Sequence, residues 1–138
     1  MRNPNFFLIF LYIFISNIVF TQSNFELTVH VKGDYNDYLF LLGEKRDSSL
    51  VVEGKAKFKG SQDIPQQLAI IMKGIGNVAW VFLENSQIDM YCSYYPADSA
   101  SHQMLIVDTI IGSQSNQELY HWRTDIRKLN ADKDSLQS

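Results

Sequence analysis

Titratable and nucleophilic side chains set the first bound on what this chain does. Its three histidines, His30, His102 and His121, stand far apart, and none is spaced from another His, Cys or carboxylate as zinc ligands are. The residues therefore predict no metal and no cofactor. A serine nucleophile needs an oriented base, and no strand-to-helix elbow of the G-x-S-x-G type is present. Asp47-Ser48 and Gly112-Ser113 read as turn and helix-cap chemistry. Glu84 and Asp89 have the residue types of a glycosidase pair, but they flank a hairpin-like turn and nothing nearby supports that chemistry. Gly74-Ile75-Gly76 lacks the third glycine and the following helix of a phosphate loop. The expectation is a protein with no catalytic residues.

Cys92 is the only cysteine, so neither a disulfide framework nor a CxxC redox pair exists within the chain. It lies in the strand-like run Ile88 to Tyr94, where a buried, inert thiol is expected. Tyr91, Tyr94 and Tyr95 gather near one strand end. Neighbouring strand residues point to opposite faces, so Tyr94 and Tyr95 cannot both be covered by one layer. That leaves Tyr94 and Tyr95 as the candidate contact residues for a partner or ligand. Lys55, Lys57 and Lys59 form the one basic cluster. Strand alternation accounts for it, and with a net charge of −3 no nucleic-acid partner is expected.

The elements that carry these residues read mainly as strands. Phe25, Leu27, Val29 and Val31 alternate with Glu26, Thr28, His30 and Lys32, which predicts a half-buried first strand. Tyr38 to Leu42 is apolar throughout, which predicts cover on both faces. Ser48 to Gly60 reads as a hairpin about Glu53-Gly54, with Ala56 and Phe58 inward and three lysines outward, suited to guarding an edge. Gln67 to Met72 follows Pro65 as a strand. Val78 to Leu83 and Gln87 to Ser93 read as a hairpin around Glu84-Asn85-Ser86, and Met104 to Asp108 as a closing strand.

A single helix is expected over Ser115 to Leu129. Ser115-Asn116-Gln117-Glu118 has the form of a capping box, and Leu119, Trp122, Ile126 and Leu129 share one face. The helix is expected to lay that face on the sheets, with Trp122 as a core anchor, and the polar residues 130–138 to form a disordered tail. About seven or eight short strands then predict a mainly β fold: an antiparallel β-sandwich or partly open barrel with one C-terminal helix. Residues 22–114 form its β part and 115–129 its helix.

The leading segment reads differently. Arg2 and the α-amino group precede an apolar run from Phe6 to Phe20, which meets Thr21, Gln22 and Ser23. This layout predicts a signal peptide over residues 1–21, cleaved after Thr21, and hence a periplasmic or cell-envelope location. The run is short for a spanning helix, so membrane contact is expected only through an uncleaved signal segment.

Four phrases, taken in order, resemble one family. They are Phe25 to Gly33, Asp47 to Gly60 (D-S-S-L-V-V-E-G-K-A-K-F-K-G), Trp80 to Ile88 (W-V-F-L-E-N-S-Q-I), and Ile110 to Leu119 (I-I-G-S-Q-S-N-Q-E-L). They are similar to domain of unknown function 4369, the β-rich N-terminal domain found ahead of a thioredoxin-like (AhpC/TSA-type) domain in exported thiol–disulfide proteins of Bacteroidetes. Ala56 stands where that family often has an aromatic, and Glu53 where it has Asn or Asp. Nothing in the chain matches the thioredoxin-like domain, so no catalytic residue carries over. The resemblance implies an exported, non-catalytic module that positions a partner or substrate for envelope thiol–disulfide redox proteins. Two alternatives stand beside it: a truncated thiol–disulfide oxidoreductase lacking its catalytic half, and a glycan-binding module using the exposed tyrosines.

Overall fold

Two four-stranded sheets pack face to face in a computed structural model that describes residues 24–74, 77–98 and 102–137. The strands are β1 (Phe25–Lys32), β2 (Tyr38–Leu42), β3 (Arg46–Leu50), β4 (Lys55–Gly60), β5 (Gln66–Met72), β6 (Val78–Leu83), β7 (Gln87–Tyr95) and β8 (Met104–Ile111). One helix, α1 (Gln114–Gln137), follows. The front sheet has the order β4-β1-β7-β8 and the back sheet β3-β2-β5-β6. The mainly β sandwich with a C-terminal helix is as expected, and the sheets do not close into a barrel. The segment expected to be a signal peptide, residues 1–21, lies outside the described residues. Among the described residues no helix is long and apolar enough to cross a membrane.

Period-two alternation builds the core. Leu27, Val29, Phe58, Ile88, Met90 and Leu105 point inward from the front sheet, and Leu39, Ile70, Val81 and Leu83 from the back sheet, each no more than 1% exposed. Truncating a ring as deep as Phe58 to alanine costs about 3–5 kcal/mol in such a core.

Pairing departs from the expected hairpins in a consistent way. Glu53 (φ 51°) and Gly54 (φ 72°) make the two-residue turn, closed by hydrogen bonds between Val52 and Lys55. The strands on either side then separate: β3 pairs with β2 in the back sheet and β4 with β1 in the front. The inward residues of β4 find their neighbours on β1, where Ala56 meets Val29 and Phe58 meets Leu27. Likewise β6 pairs with β5, while β7 joins β1 and β8, so Glu84-Asn85-Ser86 links the two sheets and closes no hairpin. The β1–β7 pairing is parallel, a departure from an all-antiparallel sandwich. Both turns carry the chain from one layer to the other because each strand's inward residues find partners in a different sheet.

Three asparagine side chains tie these elements together, each binding both backbone groups of one distant residue. Leu105 N donates to Asn77 Oδ1 (2.6 Å) while Asn77 Nδ2 donates to Leu105 O (2.8 Å), joining β6 to β8. Asn85 holds Gln62 at 2.8 and 2.6 Å, and Asn116 holds Phe82 at 2.9 and 2.7 Å. An amide presents a donor and an acceptor side by side, like the peptide group of a neighbouring strand. Leu105 on edge strand β8 and Phe82 on edge strand β6 are thereby closed to a further strand.

The helix differs from expectation at both ends. Its cap is Ser113, whose Oγ accepts from Asn116 N (3.2 Å), in keeping with the cap chemistry read at Gly112-Ser113 and two residues before the Ser115 box. Gly112 (φ 84°) sets this position, because a Cβ there would overlap Gln87 O. At the other end the helix continues through the polar residues read as a disordered tail. Its apolar face is not buried either: Trp122 is 61% and Leu129 64% exposed, so Trp122 is no core anchor. The helix packs against β6 and β8, and its burial is confined to the start, where Asn116 is buried and Leu119 half-buried. Strand β2 also lacks its second cover. Leu39 and Leu41 are buried, whereas Tyr38 is 43% exposed and Phe40 and Leu42 are half-buried.

Candidate functional site

The outer face of the front sheet holds most of the residues that sequence reasoning singled out. Parallel register sets His30 of β1 beside Tyr91 of β7, and their rings stack at 4.4 Å with planes 7° apart. His30 Nε2 also lies 2.7 Å from Asp89 Oδ1. This histidine is therefore engaged by two neighbours on β7. Sequence reading missed the trio because His30 and Asp89 are 59 positions apart, and no local pattern announces parallel pairing.

Beside this trio, strand β8 widens the face. A register shift after Tyr91 lets Asp108 sit as an extra residue, where its Oδ2 accepts from Ser93 Oγ at 2.8 Å. Ile106 opposite Ser93 is 43% exposed, and Met104 opposite Tyr95 is 40%. The two candidate tyrosines divide as alternation requires. Tyr95 is 50% exposed on this face. Tyr94 turns inward, half-buried, its ring 5.0 Å from Tyr35 and its hydroxyl 3.4 Å from Gln103 Oε1. The structure does not bring Tyr94 and Tyr95 together. Apolar and aromatic surface punctuated by two fixed polar pairs is the composition of a recognition face.

Across the same face toward β4 the character changes to basic. Lys59 Nζ lies 2.9 Å and Lys57 Nζ 3.5 Å from the Glu26 carboxylate. The hydrogen bond from Lys59 leads the causes that hold Glu26 below the usual carboxylate range. Edge strand β4 thus carries its lysines outward, as the alternation predicted.

The remaining candidates serve structure. Glu84 accepts from Gln114 N and from Ser115 Oγ (2.7 Å), binding the helix start to the β6–β7 connection. Burial raises its pKa, but hydrogen bonds from Ser115, Ser113 and the Gln114 amide outweigh that and hold it below the ordinary glutamate value. Glu84 and Asp89 therefore have separate partners. His102 is exposed, and His121 is exposed with its ring edge-on to Tyr120 at 6.1 Å. Cys92 is buried, and burial first, then Asp108, pushes its thiol up to about 12.

A cleft of about 540 Å³ opens at one end of the sandwich, between the β2–β3 and β4–β5 connections. Two of its cations are already engaged: Lys59 by Glu26, and Arg46, whose guanidinium lies 4.4 Å from the Phe40 ring centroid. Among the described residues no group of three or more His, Cys, Asp or Glu side chains is placed to hold a metal ion.

No curated protein and no solved structure matches the chain significantly. Residues 25–119, from the first strand through the opening turns of the helix, match the family described as domain of unknown function (DUF4369), and the chain belongs to that family.

Proposed function

We propose that the protein is a non-catalytic binding module of the cell envelope that positions a partner or substrate for thiol–disulfide redox proteins. The observation that carries this reading is the half-apolar face around Tyr91, Tyr95 and Ile106, with His30–Asp89 and Ser93–Asp108 as fixed polar posts. Such faces give specificity through a few oriented polar groups set in contact area. The raised Cys92 thiol supports a role without thiolate chemistry of its own. The association with redox proteins rests on the family resemblance of the opening phrases, and the envelope location on the leading segment.

The test is affinity capture from an envelope extract by the wild-type chain and by a Tyr95→Glu, Ile106→Glu variant. Recovery of a thiol–disulfide protein by the wild type alone supports the reading. Equal recovery by both, or none, refutes it, as does insulin reduction by the purified chain. A glycan ligand is the second reading, favoured by the open ring of Tyr95. Glycan-array binding that disappears with Tyr95→Ala would select it.

A further inference from the structure

We propose that the chain forms a two-fold dimer in which α1 of each copy lies on the outer face of the back sheet of the other. This goes beyond the recognition face, which belongs to the front sheet.

Cross-strand register builds an apolar platform on the back sheet. Phe40, Ile71 and Val78 form one row across β2, β5 and β6, and Leu42, Ala69 and Trp80 form the next. Trp80 is 53% and Val78 43% exposed. Toward β3 this face turns polar, with Arg46 over the Phe40 ring, but its apolar part across β2, β5 and β6 calls for a second covering layer. The same chain carries the matching element: Leu119, Trp122, Ile126 and Leu129 at spacings of three and four on α1.

The helix cannot cover its own sheet. Glu84 and Asn116 fix its first turn at the β6 edge, and no glycine or proline interrupts Gln114–Gln137 to let it bend back. It stands as a rod with Trp122 and Leu129 in solvent. The exposed part of the stripe, Trp122 to Leu129, spans roughly 10 Å of helix axis. The platform crosses three strands, roughly 10 Å from β2 to β6, so stripe and platform match in size.

Exchange satisfies both surfaces with one symmetry operation. From the exposed fractions, and aromatic side chains of roughly 150–250 Å², each helix–sheet contact hides on the order of 800 Å². Two contacts hide on the order of 1,600 Å², the size of a stable protein interface. The apolar character also suits a homodimer, whose interfaces are the more hydrophobic class.

The chain's two tryptophans, Trp80 and Trp122, lie on the two opposing surfaces and report on them directly. The experiment is sedimentation equilibrium on the chain from Gln22 onward, which keeps every buried core residue described above. A mass twice that of the chain is expected, with tryptophan emission moving to longer wavelength on dilution. Trp80→Glu and Trp122→Glu should each raise the dissociation constant at least about tenfold, a loss of roughly 1.4 kcal/mol. A second measurement mixes Val78→Cys chains with Ile126→Cys chains under oxidation, and a mixed disulfide is expected. A wild-type monomer overturns the proposal. So does a dimer indifferent to Trp80→Glu, which would place the back sheet outside the interface, or cross-linking only between two Ile126→Cys chains, which would mean that the helices pair with each other.

Discussion

Asn116, in the first turn of the helix, completes the edge of strand β6 by binding both backbone groups of Phe82. Phe82 N donates to its Oδ1 at 2.9 Å, and its Nδ2 donates to Phe82 O at 2.7 Å. The side chain is buried, and its Nδ2 also reaches Ser113 Oγ at 2.7 Å, so one amide joins cap, helix and sheet.

Asn116→Ala should therefore cost about 2 kcal/mol in urea unfolding, since it strands polar groups that had partners. Asn116→Asp should be worse at neutral pH, because a carboxylate would face the Phe82 carbonyl. It should recover in part on acidification, when the protonated acid can donate to that carbonyl. Equal, pH-independent losses for both variants would contradict the two-sided bond.

Glu84 should make the helix junction acid-sensitive. Its folded pKa lies below the ordinary value of 4.5. The stabilisation is present above that value and is lost as pH falls through the folded pKa, where the acid can no longer accept from Gln114 N and Ser115 Oγ in the same way. Proteolysis near the helix start should accelerate below about pH 4.5 in the wild type. Glu84→Gln should show the faster cleavage at all pH values.

Cys92 should resist thiol reagents until the protein unfolds. Its folded pKa, about 12, exceeds the ordinary value of 9.0. Its contribution to stability is full below the ordinary value and declines as pH rises toward the folded one, because the unfolded chain releases the proton first. Cys92→Ala should flatten that alkaline limb of the stability profile while lowering its plateau. Rapid labelling of the native thiol at neutral pH would count against the buried placement.

Gly112→Ala should destabilise by more than about 2 kcal/mol, combining a left-handed backbone with a clash. The added methyl carbon would run into Gln87 O. Thermal unfolding of this variant beside Gly74→Ala isolates the clash, since at Gly74 (φ 95°) the nearest atom is the flexible Gln103 amide at 3.2 Å.

Inward-facing residues were legible where alternation is strict. On β1 and β4 the reading of Leu27, Val29, Ala56 and Phe58 as core agrees with their burial. The Glu53-Gly54 turn was legible too, because positive φ leaves a chemical mark. What each strand pairs with was not, since alternation specifies a face and is silent about the neighbour. The helix shows the same limit. Its stripe marks a surface that wants cover, and periodicity alone cannot say whether the cover comes from its own sheets. The His30–Asp89–Tyr91 cluster depends on parallel register between distant strands, whereas local alternation gave only that Tyr94 and Tyr95 take opposite faces.

Parallel pairing of β1 with β7 also governs the order in which the molecule can form. Strand β1, one of the two central strands of the front sheet, precedes the other strands in the chain, yet its register partners on β7 follow 61 residues later (His30 to Tyr91). Until then β1 has only β4 beside it, and closing so long a loop delays folding. A chain delivered N-terminus first thus lacks this pairing until β7, Gln87–Tyr95, has followed, and the front sheet can close only after that.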